Sequence, residues 1–175
     1  AYLGCPWASA CIDQIAASVT AGGIELFQDA PETSGDAQEP AILATTRALL
    51  GFTSPSTNMT SLLRSWVTAS PIFGISALEV VKLDGTPAAL YLMNSQTLRV
   101  NVDEHGDTTG YSQVLGGQHA DIDFTLDEII ILREEDPRGG NTYGLGLIEK
   151  LIDPITRWIY YPGLEQHSLR AGVPH

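Results

Sequence analysis

The chain has 175 residues, 21 of them acidic and 9 basic, for a formal net charge of −12, and 43% are hydrophobic. That length fits one domain able to bury roughly 70% of its unfolded surface, and the composition is globular rather than disordered. The acidic balance argues against a surface that grips nucleic-acid phosphates, which needs clustered Lys and Arg; ordinary surface acidity that favours solubility accounts for it equally well.

The two cysteines, Cys5 and Cys11, match neither a C-x-x-C pair nor a zinc knuckle in their spacing, and both read as small buried apolar residues. No apolar run reaches the ~18 residues of a membrane span, so no membrane association is expected. No charged segment precedes a hydrophobic one as in a secretory signal. The chain starts with Ala rather than Met and so reads as a processed or excised product.

The first element expected is a helix over residues 5–21, with Ala8, Cys11, Ile12, Ile15 and Val19 on one stripe and Gly22-Gly23 ending it. Ile24 to Phe27 is a short strand candidate. Residues 28–39 are polar and rich in Pro, Gly, Ser and acids, a mobile surface loop by pattern. Pro40 suits the first turn of a second helix whose apolar face is Ile42, Leu43, Thr46, Leu49 and Leu50. After a loop over 51–58, Asn58 or Thr60 caps a third helix, with Leu62, Leu63, Trp66 and Val67 buried. Pro71 and Gly74 close it.

From Ile75 the apolar period drops from 3.6 to 2. Ala77 to Leu83 and Ala89 to Met93 form a hairpin across Asp84-Gly85, a turn whose central residues need a positive φ. Leu98 to Val102 pairs with Tyr111 to Leu115 across His105-Gly106. Ile122 and Phe124 make a short edge, and Ile129 to Leu132 a buried run. Helices first and strands second predict an α+β fold, with helices packed on a mostly antiparallel sheet and a C-terminal amphipathic helix after it.

That last helix is expected over Leu145 to about Tyr161. Ile148, Leu151, Ile152, Ile155, Trp158 and Ile159 fall on one stripe, the candidate subunit interface, with packing inside the domain as the competing role. Pro154 either starts a second helical segment, capped by Asp153, or kinks a single helix. Pro162-Gly163 ends it. The chain thus divides into an α+β unit over 1–144, a helix over 145–163 and a poorly ordered tail over 164–175.

No catalytic constellation emerges, so no enzyme activity, cofactor or metal is expected. His105, His119, His167 and His175 lack ligand spacing. Asp121, Asp123, Asp127 and Glu128 lack the central Gly and final Glu of a calcium loop. Glu134-Glu135-Asp136 reads as a solvated strand end. Gly139-Gly140 and Gly144-Leu145-Gly146 fit neither the P-loop nor the dinucleotide pattern, and no G-x-S-x-G nucleophile motif occurs.

The order of elements resembles the tailed-phage portal protein family, of the HK97-like kind. The residues carrying the resemblance are the opening helix with Ala10-Cys11-Ile12-Asp13-Gln14-Ile15-Ala16, Ile24-Glu25-Leu26-Phe27, and the helix opened by Asn58-Met59-Thr60 and closed by Pro71-Ile72-Phe73-Gly74. They continue through the paired strands around Asp84-Gly85, Thr97-Leu98-Arg99-Val100 to Tyr111, Asp127 to Arg133, and Tyr143-Gly144-Leu145-Gly146-Leu147-Ile148. The resemblance spans about residues 3–172. It implies a structural, non-enzymatic subunit of a homo-oligomeric ring, typically a dodecamer, at the capsid vertex of a phage or prophage virion or procapsid. DNA would pass through that ring during packaging and ejection without sequence-specific binding. Terminase, capsid and tail-connector proteins are the implied partners, and the bacterial host cytoplasm is the implied place of synthesis. Residues 1–144 would be the wing, Leu145–Tyr161 the start of the stem, and Arg170 to Pro174 the approach to the clip; the rest of the stem, the tunnel loop and the crown lie beyond the resemblance. The alternative is an acidic α+β interaction module that dimerises through its C-terminal helix.

Overall fold

A computed structural model describes residues 5–26, 41–117, 120–138, 142–157 and 160. The protein is α+β, with helices packed against two small antiparallel sheets. Helix α1 (Pro6–Thr20) starts with Pro at its first turn, where the missing N–H is tolerated, and buries Ala8, Ile12 and Ala16 at four-residue spacing. Ile24, Glu25 and Leu26 form no strand, contrary to the sequence expectation, and no described strand pairs with them; Phe27 and the expected loop over 28–39 lie outside the described residues. Helix α2 spans Ala41–Gly51.

Helix α3 (Met59–Phe73) is capped at both ends. The Asn58 side-chain oxygen accepts from the Ser61 N–H at 2.9 Å. At the other end Gly74 adopts φ 81° and its N–H donates to the Ser70 carbonyl at 2.7 Å, closing the helix in the left-handed region that glycine enters without steric cost. Pro71 lies inside the helix rather than ending it.

Strands β1 (Ile75–Leu83), β2 (Thr86–Leu92) and β6 (Ile129–Arg133) form one sheet in the order β2-β1-β6. The β1–β2 turn is the expected one, with φ 51° at Asp84 and 77° at Gly85. Strands β3 (Leu98–Val102), β4 (Thr108–Gln113) and β5 (Ile122–Phe124) form the second sheet in chain order. All described pairings are antiparallel.

Strand β1 organises the interior through its two-residue alternation. Ile75 and Ala77 pack with Ile129 of β6 and with Leu98 and Tyr111 of the second sheet. Leu78, on the opposite face of the strand, joins Leu62 of α3 and Leu90 of β2 in a separate core, with Leu49 of α2 and Trp66 of α3 against it. Burial of the Tyr111 phenol raises its pKa. Strand β6 is less buried than its apolar run suggests: Ile129 is buried but Ile130 is exposed. As an edge strand it has a neighbour on one side only.

The C-terminal helix starts at Leu147, two residues later than expected, and is broken. Helix α4 covers Leu147–Lys150, Leu151 leaves helical geometry at φ −106°, ψ 13°, and helical backbone resumes over 152–157 and is present at Tyr160. Pro154 explains the position of the break. It has no N–H to offer the carbonyl of Lys150 four residues back, and its ring crowds that carbonyl. Asp153 lies inside the resumed segment rather than capping it.

Candidate assembly site at the α1–α4 seam

The structure gathers three distant stretches of sequence at the end of α3. Glu134, just past β6, donates its N–H to the Gly74 carbonyl at 2.9 Å and accepts from the Ser70 hydroxyl at 2.9 Å. Gly144 and Gly146 pass against the same point. A Cβ on Gly144 would lie 2.7 Å from the Glu134 nitrogen, and one on Gly146 3.0 Å from the Ile72 carbonyl oxygen. The approach is close enough that only glycine fits without displacement.

This packing sets the direction in which α4 leaves. Arg138 reinforces it, its guanidinium donating to Asp136 at 2.9 Å and reaching Glu149 of α4 at 3.4 Å. The bonds from Arg138 hold the Asp136 carboxyl below its ordinary range, and those to Asp136 raise the Arg138 pKa in turn. Tyr143, from the same connection, accepts the Val100 N–H at 3.0 Å on the edge strand β3.

From there the stripe divides. Ile148 (9% exposed) and Ile155 (5%) lie in one buried cluster with Cys5, Ala8 and Ile12 of the α1 region, with Ile72 and Leu147 packed on it. Leu151 (37%) and Ile152 (49%) are exposed. Trp158 and Ile159 lie outside the described residues. The two cysteines also part: Cys5 is buried in this cluster, whereas Cys11 is exposed, because it falls one position off the buried 8–12–16 stripe.

Two apolar depressions flank the seam. One of about 320 Å³ runs between α1 and α4, lined by Trp7, Cys11, Leu151 and Pro154 among others. A second of about 560 Å³ lies between α1, α3 and the end of β6, lined by Ile15, Val19, Trp66 and Leu132 among others. Trp7 stands at the first rim, 70% exposed. The sequence carried a signal for it, since a large aromatic off the helix stripe has no place in the helix's own core.

The acidic segments resolve into local structure. Thr125 donates its backbone N–H to Glu128 at 3.0 Å, and its single hydroxyl hydrogen is shared between Glu128 and Asp127, at 2.7 and 2.6 Å; Asp127 also pairs with Lys82. Those bonds, led by the one from Lys82, bring the Asp127 pKa to about 2, and the Thr125 bonds lower that of Glu128. Asp123 accepts from Ser112 at 2.6 Å. Among the described residues no group of three His, Cys, Asp or Glu is placed to hold a metal ion, and no helix is long and apolar enough to cross a membrane. His105 lies exposed beside Glu104; His119, His167 and His175 are outside the described residues.

No protein-family model matches the chain, and no curated protein does. Its fold is similar to chains in solved structures of gene transfer agent (GTA) particles. A chain in the neck of an empty GTA particle, computed with C6 symmetry, matches with a TM-score of 0.73 and 19% identity, over 96% of this chain and 44% of its own. A chain in the virion of the native particle matches at 0.73 and 17%, over 97% and 42%. One in the neck of the native particle, computed with C12 symmetry, matches at 0.66 and 18%, over 92% and 41%. The present chain therefore spans less than half the length of each, and at these identities the likeness is one of fold.

Proposed function

We propose that this chain is a structural subunit of the neck of a phage-like particle, and within that class a portal, or head–tail connector, segment. The observation that carries this reading is the fold match over nearly the whole chain to components of symmetric neck assemblies. The portal assignment rests in addition on the order of sequence elements, with 1–144 as wing and the helix after Gly144 as entry to the stem. Terminase, capsid and tail-connector proteins are the partners this assignment brings, at the capsid vertex of the virion. A negative wall suits a channel along which DNA slides, since it repels phosphate within a Debye length.

The exposed apolar groups around the seam, Trp7, Leu151 and Ile152, are the surface we assign to subunit contact, with Trp158 and Ile159 continuing it by sequence. Two members of the stripe, Ile148 and Ile155, are already used on α1. A contact built here therefore needs α1 as well as the last helix. Sedimentation velocity and negative-stain electron microscopy of the purified protein, and of any longer natural product containing it, test the assignment. Rings support it; a species that remains monomeric, or stops at a dimer at every concentration, overturns it.

A further inference from the structure

We infer that Leu151 is a hinge and Ile155 a latch, so that helical segment 152–157 is an arm able to swing off α1 while the rest of the domain stays folded. This goes beyond the assembly reading and holds whatever the chain assembles into.

The two sides of Leu151 are held very differently. On the near side, Leu147–Lys150 is fixed by the glycine packing against Gly74, by burial of Ile148, and by the Arg138–Glu149 contact. At the break, Leu151 sits in the sparsely populated bridge region, its N–H shared between the carbonyls of Leu147 and Ile148 at 3.1 and 3.2 Å. Pro154 leaves the Lys150 carbonyl without its helical donor. On the far side, the Ile155 N–H reaches the Leu151 carbonyl at 3.0 Å, and Ile155 is the buried side chain among the described residues of the segment. A segment joined across a broken helical turn, with Ile155 its buried side chain among the described residues, opens locally at a free energy well below that of global unfolding.

Straightening has a defined alternative geometry. In a continuous helix Ile148 and Ile155, seven residues apart, return to the same face, and Leu151 and Ile152 fall beside them. The present bend keeps the first two buried and leaves the second two in solvent. The arm thus has two arrangements with different apolar surface presented.

The molecule carries its own reporter. Cys5 shares the buried cluster with Ile155 and is 4% exposed, whereas Cys11 is exposed even with the arm in place. The test is the rate at which a small thiol reagent labels each cysteine under native conditions. In the unaltered protein Cys11 reacts fast and Cys5 slowly, and the slow rate responds only weakly to urea at low concentration, as a local opening does. Ile155→Ala accelerates Cys5 labelling at least about tenfold, with Cys11 unchanged. Pro154→Ala restores the donor for Lys150, favours the straight arrangement and speeds Cys5 labelling. The inference is overturned if the Cys5 rate follows the urea dependence of global unfolding. It is equally overturned if Cys5 reacts as fast as Cys11 in the unaltered protein, or if Pro154→Ala leaves the rate unchanged or lowers it.

Discussion

Gly74 and Gly144 touch backbone to backbone: a Cβ on Gly74 would lie 2.7 Å from the carbonyl carbon of Gly144, closer than real contacts allow. Gly74→Ala therefore meets two penalties, the left-handed φ of 81° and the overlap, and is expected to cost about 2–4 kcal/mol. Gly85→Ala, at a similar φ but with nothing within 4 Å, costs only about 1–2 kcal/mol, the conformational part alone. Urea denaturation of the two variants checks both the values and their order. Equal losses would mean that the close approach does not matter.

The Ser70–Glu134 hydrogen bond joins the last turn of α3 to the residue just past β6, with Ser70 buried and Glu134 half-buried. A double-mutant cycle over Ser70→Ala and Glu134→Ala should return a coupling of about 1 kcal/mol or more, in the range of hydrogen bonds to charged acceptors. Additivity within error would show that the two side chains act independently.

Asp127 provides a pH dependence. Its folded pKa, about 2, lies below the ordinary value of about 3.9 for an unfolded Asp. The unfolded state therefore takes up the proton first. The stabilisation is fully present above about pH 4 and is lost as pH falls toward 2. Asp127→Asn should flatten the acid-unfolding profile over that interval and leave its shape above pH 5 unchanged. The carboxylate is fully solvated, so the effect shrinks with added salt. An unaltered acid limb in the variant would remove Asp127 from the account.

Trp7 and Ile152 test the assembly surface. Both are exposed, so Trp7→Ser and Ile152→Ser should leave stability within about 0.5 kcal/mol of the unaltered protein. Association, read by sedimentation, should weaken in both. A large fall in stability would instead show that these side chains belong to the domain's own interior.

Much of this architecture was legible in sequence, and the reasons differ by element. The β1–β2 hairpin was clear because Asp84-Gly85 specifies its turn chemically. Helix α3 was clear because Asn58 and Gly74 supply both caps. The strand expected at Ile24 failed because apolar residues make a strand only where a partner ladder exists, and pairing partners are not a local property. The break at Leu151 came three residues before the proline responsible for it, since proline acts on the carbonyl four residues back rather than at its own position. The seam itself was the least legible. Ser70, Gly74, Glu134 and Gly146 meet through tertiary packing alone, and only the clustering of glycines after Tyr143 hinted that backbone would pass close to backbone there. The division of the stripe over 148–155 into buried and exposed halves depends on that same bend.

The alternation along β1 makes neighbouring residues into a differential gauge. Ala77 belongs to the core shared by the two sheets and Leu78 to the core shared with α2 and α3. Two adjacent positions on one strand therefore read out two different compartments of the molecule. A disturbance arriving through the helices should register at Leu78 before Ala77, and one arriving through the second sheet in the reverse order. The side-chain resonances of these two residues would be enough to tell from which side a partner has engaged.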